Sequence, residues 1–417
     1  MRNLALALLI LLFPAQARAG QGTTTEAEPD WPDRIIHLRE RLDRVPNDHQ
    51  AREQLAIAYN NYAVTLADAG NVDDAVEQLE EALRLDPASV QLKANLATIH
   101  LKAATEAYQA HRLTEAKRLV QEALAVTPNN AEPYVLLGEI EYNSQRLKEA
   151  KAAWEKALAL SPDLLEVRTK LSQLDQELPV ESKFEKLSQV YFDLRYTTQL
   201  ERASGSDIQD MLLKARREVG SDFAFWPTRK IVALLYTAEE FRTLRQQAPE
   251  WVAGQYDGKI RVPLPGQDLD HQAVTRILYH EYTHAVVYEL TKGLLPTWFN
   301  EGLAEYEAWK HEAPPWTLLR EAAAQARLLP WQALSTQFSA SATTMQTGLA
   351  YEQAHNIVRY LVERHSFWRI KRLLKAVGEG TPFEQALQAE YRLKLTRLEE
   401  NWRAWLQELL AISPAAP

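Results

Sequence analysis

The sequence predicts a multidomain chain: an N-terminal all-α solenoid of helix pairs, then an α+β, mainly helical domain. Three observations predict it. Within residues 31–179 an Ala-Leu-x-x-x-Pro signature returns at Ala82–Pro87, Ala123–Pro128 and Ala157–Pro162, and each copy follows an alanine seven residues earlier, Ala75, Ala116 and Ala150. Alanines at these places let paired helices approach closely. From Phe184 to Val262, short apolar runs such as Ile231–Tyr236 mix with helical stretches such as Met211–Val219, which suits a small strand-containing lobe. After residue 312 the apolar pattern is mainly helical to about Leu410.

The N-terminus reads as a secretory signal peptide over 1–19. One positive side chain, Arg2, precedes an unbroken apolar run from Leu4 to Phe13, and Ala17-Arg18-Ala19 has the small-x-small form of a cleavage site. Ten residues at about 1.5 Å each fall short of a bilayer core of about 30 Å, so a membrane span is not expected. No second long apolar run follows, and the mature chain is expected to have no membrane span. Residues 20–30 are polar and read as a flexible linker, and 412–417 as a disordered tail.

The 417 residues include no cysteine, which excludes disulfides, lipidation at cysteine and any Cys-ligated zinc site. Formal charge is −9, and loss of Arg2 and Arg18 with the signal takes it to −11. Such a chain has no general affinity for nucleic acid or for anionic membranes.

In the repeat region the prolines at 46, 87, 128 and 162 are 41, 41 and 34 residues apart. Each is expected to start the next helix. The seven extra residues of the longer repeats make almost two helical turns, which lengthens a helix while keeping its buried face aligned. Leu164–Leu178 reads as a capping helix, with Pro179 ending the array. The pattern resembles the tetratricopeptide repeat, most clearly in the third copy, where Tyr134, Leu137 and Gly138 take the expected places. Stacked repeats leave a concave groove that usually binds a peptide or a partner protein.

The residues that carry chemistry lie in the second half, 183–411. His280-Glu281-Tyr282-Thr283-His284 sets two histidines four apart on a helix, where both can grip one metal ion, with Glu281 beside the first to handle a proton from metal-bound water. Asp268 or Asp270 can cap that helix. Val274, Ile277, Leu278, Tyr282, Ala285, Val286 and Leu290 recur at helical spacing, and Gly293 and Pro296 end it. The chain then reverses into Thr297–Tyr306, so a carboxylate from the second helix can reach a metal held by the first. Glu301 is the best placed, completing a set of two His and one Glu with an open fourth position. Glu305, one turn on, is placed to accept a hydrogen bond from a ligand histidine's outer nitrogen. His271, His311 and His355 receive no role.

His280-Glu281-x-x-His284 followed by Trp298-x-Asn300-Glu301-Gly302-x-Ala304-Glu305 resembles the gluzincin metallopeptidases, the thermolysin and aminopeptidase N group, and more narrowly their small peptidase-MA-like relatives. The resemblance implies Glu301 as third zinc ligand. Sixteen residues separate His284 from Glu301, fewer than in the larger relatives, so the connection must be tighter. Tyr351-Glu352-Gln353-Ala354 is similar to the aminopeptidase segment Tyr-Glu-Lys-Gly, which implies that Tyr351 donates to the oxyanion. Gly254–Pro263 reads as a turn and strand entering the motif helix, similar to the gluzincin edge strand that pairs with substrate.

The expected activity is therefore that of an exported, periplasmic or secreted zinc metallopeptidase acting on a peptide or protein. Zn2+ acidifies a water, Glu281 takes its proton, the hydroxide attacks a carbonyl polarised by metal and Tyr351, and Glu281 protonates the departing amine. Two other readings stay open: a cell-wall peptide amidase using the same residues, and a non-catalytic repeat-based scaffold whose metal is structural. His and Glu donors also accept divalent ions other than zinc.

Overall fold

Helix follows helix from Trp31 to Glu181 in the computed structural model, which describes residues 30–197, 202–244, 258–264, 270–339 and 342–412. The expected signal peptide lies outside those residues, as do all of the expected linker except Asp30 and all of the expected tail except Ile412, which is helical. The chain divides into two units between Leu178 and Pro179. The first contains α1 (Trp31–Arg44), α2 (His49–Asp68), α3 (Val72–Leu85), α4 (Val90–Gln109), α5 (Leu113–Val126), α6 (Ala131–Asn143), α7 (Leu147–Leu160) and most of α8 (Leu165–Glu181).

Polar caps start the first helix of each pair. Asp48, Ser89 and Asn130 accept from the backbone N–H groups of Ala51, Leu92 and Glu132, supplying acceptors that the opening turn lacks. The prolines do not start helices as expected. Pro46, Pro87, Pro128 and Pro162 each follow the last-turn caps Val45, Asp86, Thr127 and Ser161. They therefore stop the preceding helix, because a proline there has no N–H to continue the ladder. Pro179 does not stop α8, which runs to Glu181. So near a C-terminus it costs one helical bond in a turn that the preceding residues already hold.

The seven extra residues lengthen the first helix of the pair: α2 and α4 have 20 residues and α6 has 13. Ala75, Ala116 and Ala150 are fully buried where the paired helices meet. Successive pairs are stitched by side chains 35 positions apart. Asn95 Nδ2 donates to Asn60 Oδ1 at 2.6 Å, Asn143 Nδ2 to Tyr108 at 2.5 Å, and the Tyr142 hydroxyl to Glu177 at 2.8 Å.

The second unit opens with β1 (Glu185–Ser188), β2 (Phe192–Tyr196), α9 (Arg202–Phe223), β3 (Ile231–Thr237), α10 (Ala238–Leu244) and β4 (Lys259–Leu264). The sheet order is β1-β2-β3-β4, with an antiparallel β1/β2 hairpin and parallel β2/β3 and β3/β4 pairs. Strands β2 and β3 are buried on both faces, which explains why Ile231–Tyr236 reads as a continuous apolar run. Residues Gly254–Asp257 of the expected turn lie outside the described residues.

Then come α11 (His271–Thr291), α12 (Thr297–Ala308), α13 (Thr317–Ala324), a 3-10 segment (Trp331–Phe338), α14 (Thr344–His365), α15 (Phe367–Gly378), α16 (Phe383–Tyr391) and α17 (Leu395–Ile412). Helix α11 packs on β4, α9, α12 and α15, while α14 crosses α12. An aromatic stack of Trp298, Trp331 and Trp402, with centroids 5.6 and 6.0 Å apart, fills the core beneath them. No helix among the described residues is long and apolar enough to cross a membrane.

Candidate metal centre

Asp270 caps α11, accepting from the N–H groups of Gln272 and Ala273. Val274, Leu278, Tyr282, Ala285 and Val286 anchor the helix in the core. The helix ends as Lys292 and Gly293 turn left-handed at φ 54° and 72°. The Leu294 N–H closes the turn onto Thr291, and Phe299 and Asn300 bond back to Pro296 as α12 begins. This tight reversal lays α12 against α11.

The result is a convergence of three donor atoms. His280 Nε2 and His284 Nε2 are 3.0 Å apart, and Glu301 Oε2 lies 3.4 Å from each. A tetrahedral ion bonded at about 2.1 Å holds its ligands about 3.4 Å apart, so the triangle has the size that one such ion requires. His280, His284 and Glu301 are all buried.

Hydrogen bonding fixes the orientation of the His280 ring. His280 Nδ1 meets Glu305 Oε1 at 3.0 Å. A carboxylate can only accept, so Nδ1 carries a proton and Nε2 faces the centre. Glu305 Oε2 in turn accepts from Trp309 Nε1 at 2.9 Å. Glu301 Oε2 is buried and has no hydrogen-bond donor. Burial alone would raise the Glu301 carboxyl, but attraction to the two facing imidazoles more than offsets it, pulling it down to about 2. Glu305 is also held low, since His280 outweighs its burial. Burial opposes a charge on His280, yet the two carboxylates raise its pKa well above the ordinary value, so without a metal Nε2 also holds a proton, which a bound ion would displace. A buried, donor-poor carboxylate facing two imidazole nitrogens calls for a cation at the centre. The set fits a divalent ion such as zinc.

Glu281 is buried beside His280. Tyr351 comes from α14, its ring centroid 6.4 Å from that of His280, and Phe338 meets it edge-on at 5.0 Å. Burial, and then the negative charges of Glu301, Glu305 and Glu281, push the Tyr351 hydroxyl far above its usual range. It therefore stays protonated and able to donate.

Residues 248–408 match the Peptidase MA superfamily, and residues 56–89 and 107–174 match tetratricopeptide repeats. The chain carries a Peptidase MA superfamily domain behind tetratricopeptide repeats. No curated protein matches it. Among solved structures, the one titled "MamA RS-1 ArsTM double mutant" is 22% identical over 35% of this chain and 75% of that one, with a TM-score of 0.23.

Within the peptidase MA domain, the neighbours of Tyr351 have structural partners. Glu352 accepts from the Leu319 N–H at 2.8 Å in the opening turn of α13. Gln353 clamps the backbone of Leu329, accepting from its N–H at 3.0 Å and donating to its carbonyl at 2.6 Å. His355 is buried against Trp316, with ring centroids 4.7 Å apart, and burial lowers its pKa to about 4, so it is neutral. His271 opens α11, and His311 bonds Glu218 at 2.7 Å. Sequence reasoning missed Trp309. Its available signal was position, one turn after Glu305 as Glu305 is one turn after Glu301.

Proposed function

We propose that this peptidase MA domain is a zinc-dependent metallopeptidase of gluzincin type, exported to the periplasm or beyond, that hydrolyses peptide bonds. The observation that carries it is the convergence of His280 Nε2, His284 Nε2 and Glu301 Oε2 with the outer His280 nitrogen already committed to Glu305. Bound zinc would supply Lewis acidity, lowering the pKa of water towards neutrality and polarising a carbonyl. His280, His284 and Glu301 would hold it, and Glu305 keeps the His280 ring in the required tautomer. The Glu281 carboxylate takes the proton from the attacking water and returns it to the amine nitrogen as the C–N bond breaks. The Tyr351 hydroxyl donates to the oxygen on which negative charge develops. Repeats of this kind serve protein–protein interaction, and we assign to the array the recruitment of a substrate or partner protein. The signal-like Leu4–Phe13 run supports export.

The test is elemental mass spectrometry on the purified chain. One zinc per chain, lost in Glu301→Ala and kept in a hydrolytically dead Glu281→Gln, supports the assignment. No retained metal after zinc reloading would sink it and make the repeat array the working part. A panel of folded proteins, unfolded chains and cell-wall fragments then separates a peptidase from a wall-peptide amidase.

A further inference from the structure

The antiparallel pair α11/α12 forms a ladder. Arg276, His280 and His284 lie four apart on α11, and Glu301 and Glu305 on α12 are followed, four further on, by its C-cap Trp309. The first rung joins His284 to Glu301 at 3.4 Å and the second joins His280 to Glu305 at 3.0 Å. The third has no metal-ligating group: the Arg276 guanidinium lies over the Trp309 ring, 4.9 Å from its centroid. Arg276 is itself anchored, its Nη1 donating to Glu312 at 2.6 Å.

We propose that Arg276 and Trp309 are a positioning pair for the metal site, holding Glu305 in the orientation that accepts from His280 Nδ1. The pair's role rests on the metal-holding role proposed above for His280. A carboxylate gripped through one oxygen pivots about its terminal torsion, which is broad and soft. Trp309 Nε1 grips the second oxygen at 2.9 Å. An indole N–H donates and never accepts, so it cannot compete with Glu305 for the imidazole proton. The guanidinium attracts the ring face and limits the indole's tilt. Core packing alone would be served equally by phenylalanine, and only the N–H reaches Glu305.

Trp309→Phe keeps the ring and removes the donor. In the full-length chain it should weaken zinc binding about 3- to 10-fold in a chelator competition, towards the low end of what outer-shell partners contribute. The visible absorption bands of the Co2+-loaded protein should shift, because the ligand field reports His280 orientation. The metal-free variant should melt within about 2 °C of wild type, since one partly exposed hydrogen bond is worth little to folding. Arg276→Met, which frees the indole but keeps its N–H, should move zinc affinity and spectrum the same way by less. If both variants bind zinc within twofold of wild type with an unchanged Co2+ spectrum, the third rung is packing only and the pair's role is overturned. A wild-type chain that holds no divalent ion overturns this role and the metallopeptidase assignment together, so the two failures are distinguishable.

Discussion

A Cβ on Gly302 would lie 2.6 Å from the backbone oxygen of Ala354. Helices α12 and α14 therefore meet backbone to backbone at this point, one residue from Glu301 and one turn from Tyr351. The contact sets how closely the hydroxyl of one helix approaches the carboxylate of the other. Gly302→Ala should force the helices apart, costing about 1–3 kcal/mol as overpacking does, and should weaken zinc binding as Glu301 is displaced. Thermal unfolding and chelator competition check the two effects, and an unchanged zinc affinity would separate the glycine from the site.

Glu307 is completely buried on α12, with Lys310 at 3.4 Å and an Oε1 that has no donor. Burial raises its carboxyl to about 8, against the pull of Lys310. The folded pKa is above the unfolded one, so its contribution to stability is fully present below the unfolded value of about 4.3. That contribution is lost as pH rises through about 8. Glu307→Gln removes this dependence. Its melting temperature relative to wild type should climb from pH 5 to pH 9, corresponding to on the order of 1–3 kcal/mol. A difference flat with pH would show that Lys310 keeps the carboxylate ionised throughout.

His280 and His284 were legible because ligand chemistry and helical period coincide in five residues, and Glu301 because a short Gly-Pro reversal leaves few ways for two helices to lie. The helix-pair array was legible from Ala75, Ala116 and Ala150, small residues at a recurring place. The prolines were misread because a Pro between helices has the same local signature whether it stops one or starts the next, and the cap residues Asp86 and Ser89 decide. Tyr351 lies fifty positions from Glu301 in the chain, and only the tight Gly302–Ala354 crossing brings the two together. No local pattern encodes that crossing. Glu352 and Gln353 looked like parts of a catalytic segment, but their partners are the backbones of Leu319, in the first turn of α13, and of Leu329, in the loop that follows that helix, and no local pattern encodes either contact.

In the repeats, Gly70, His111 and Gln145 occupy the same turn with φ of 84°, 55° and 56°. Gly70 has no atom within 4 Å of where a Cβ would stand, so Gly70→Ala tests backbone conformation alone. The left-handed region should cost alanine about 1–2 kcal/mol, read as a lower denaturant midpoint for the repeat unit. No loss would show that the turn relaxes to accommodate alanine.

Tyr351→Phe separates metal binding from chemistry. The three converging donor atoms belong to His280, His284 and Glu301, and all three remain, so zinc content should be unchanged. Removing one donor aimed at a developing oxyanion typically lowers kcat about 10²- to 10³-fold. KM for a fluorogenic peptide should move little, because the interaction strengthens only as charge appears on the oxygen. The wild-type hydroxyl stays protonated throughout the accessible range, held there by burial and by Glu301, Glu305 and Glu281. The rate ratio of the two enzymes should therefore be constant from pH 6 to pH 9. A ratio that collapses towards one at high pH would mean that Tyr351 ionises during turnover, and its role would then be that of a proton donor instead of a fixed dipole.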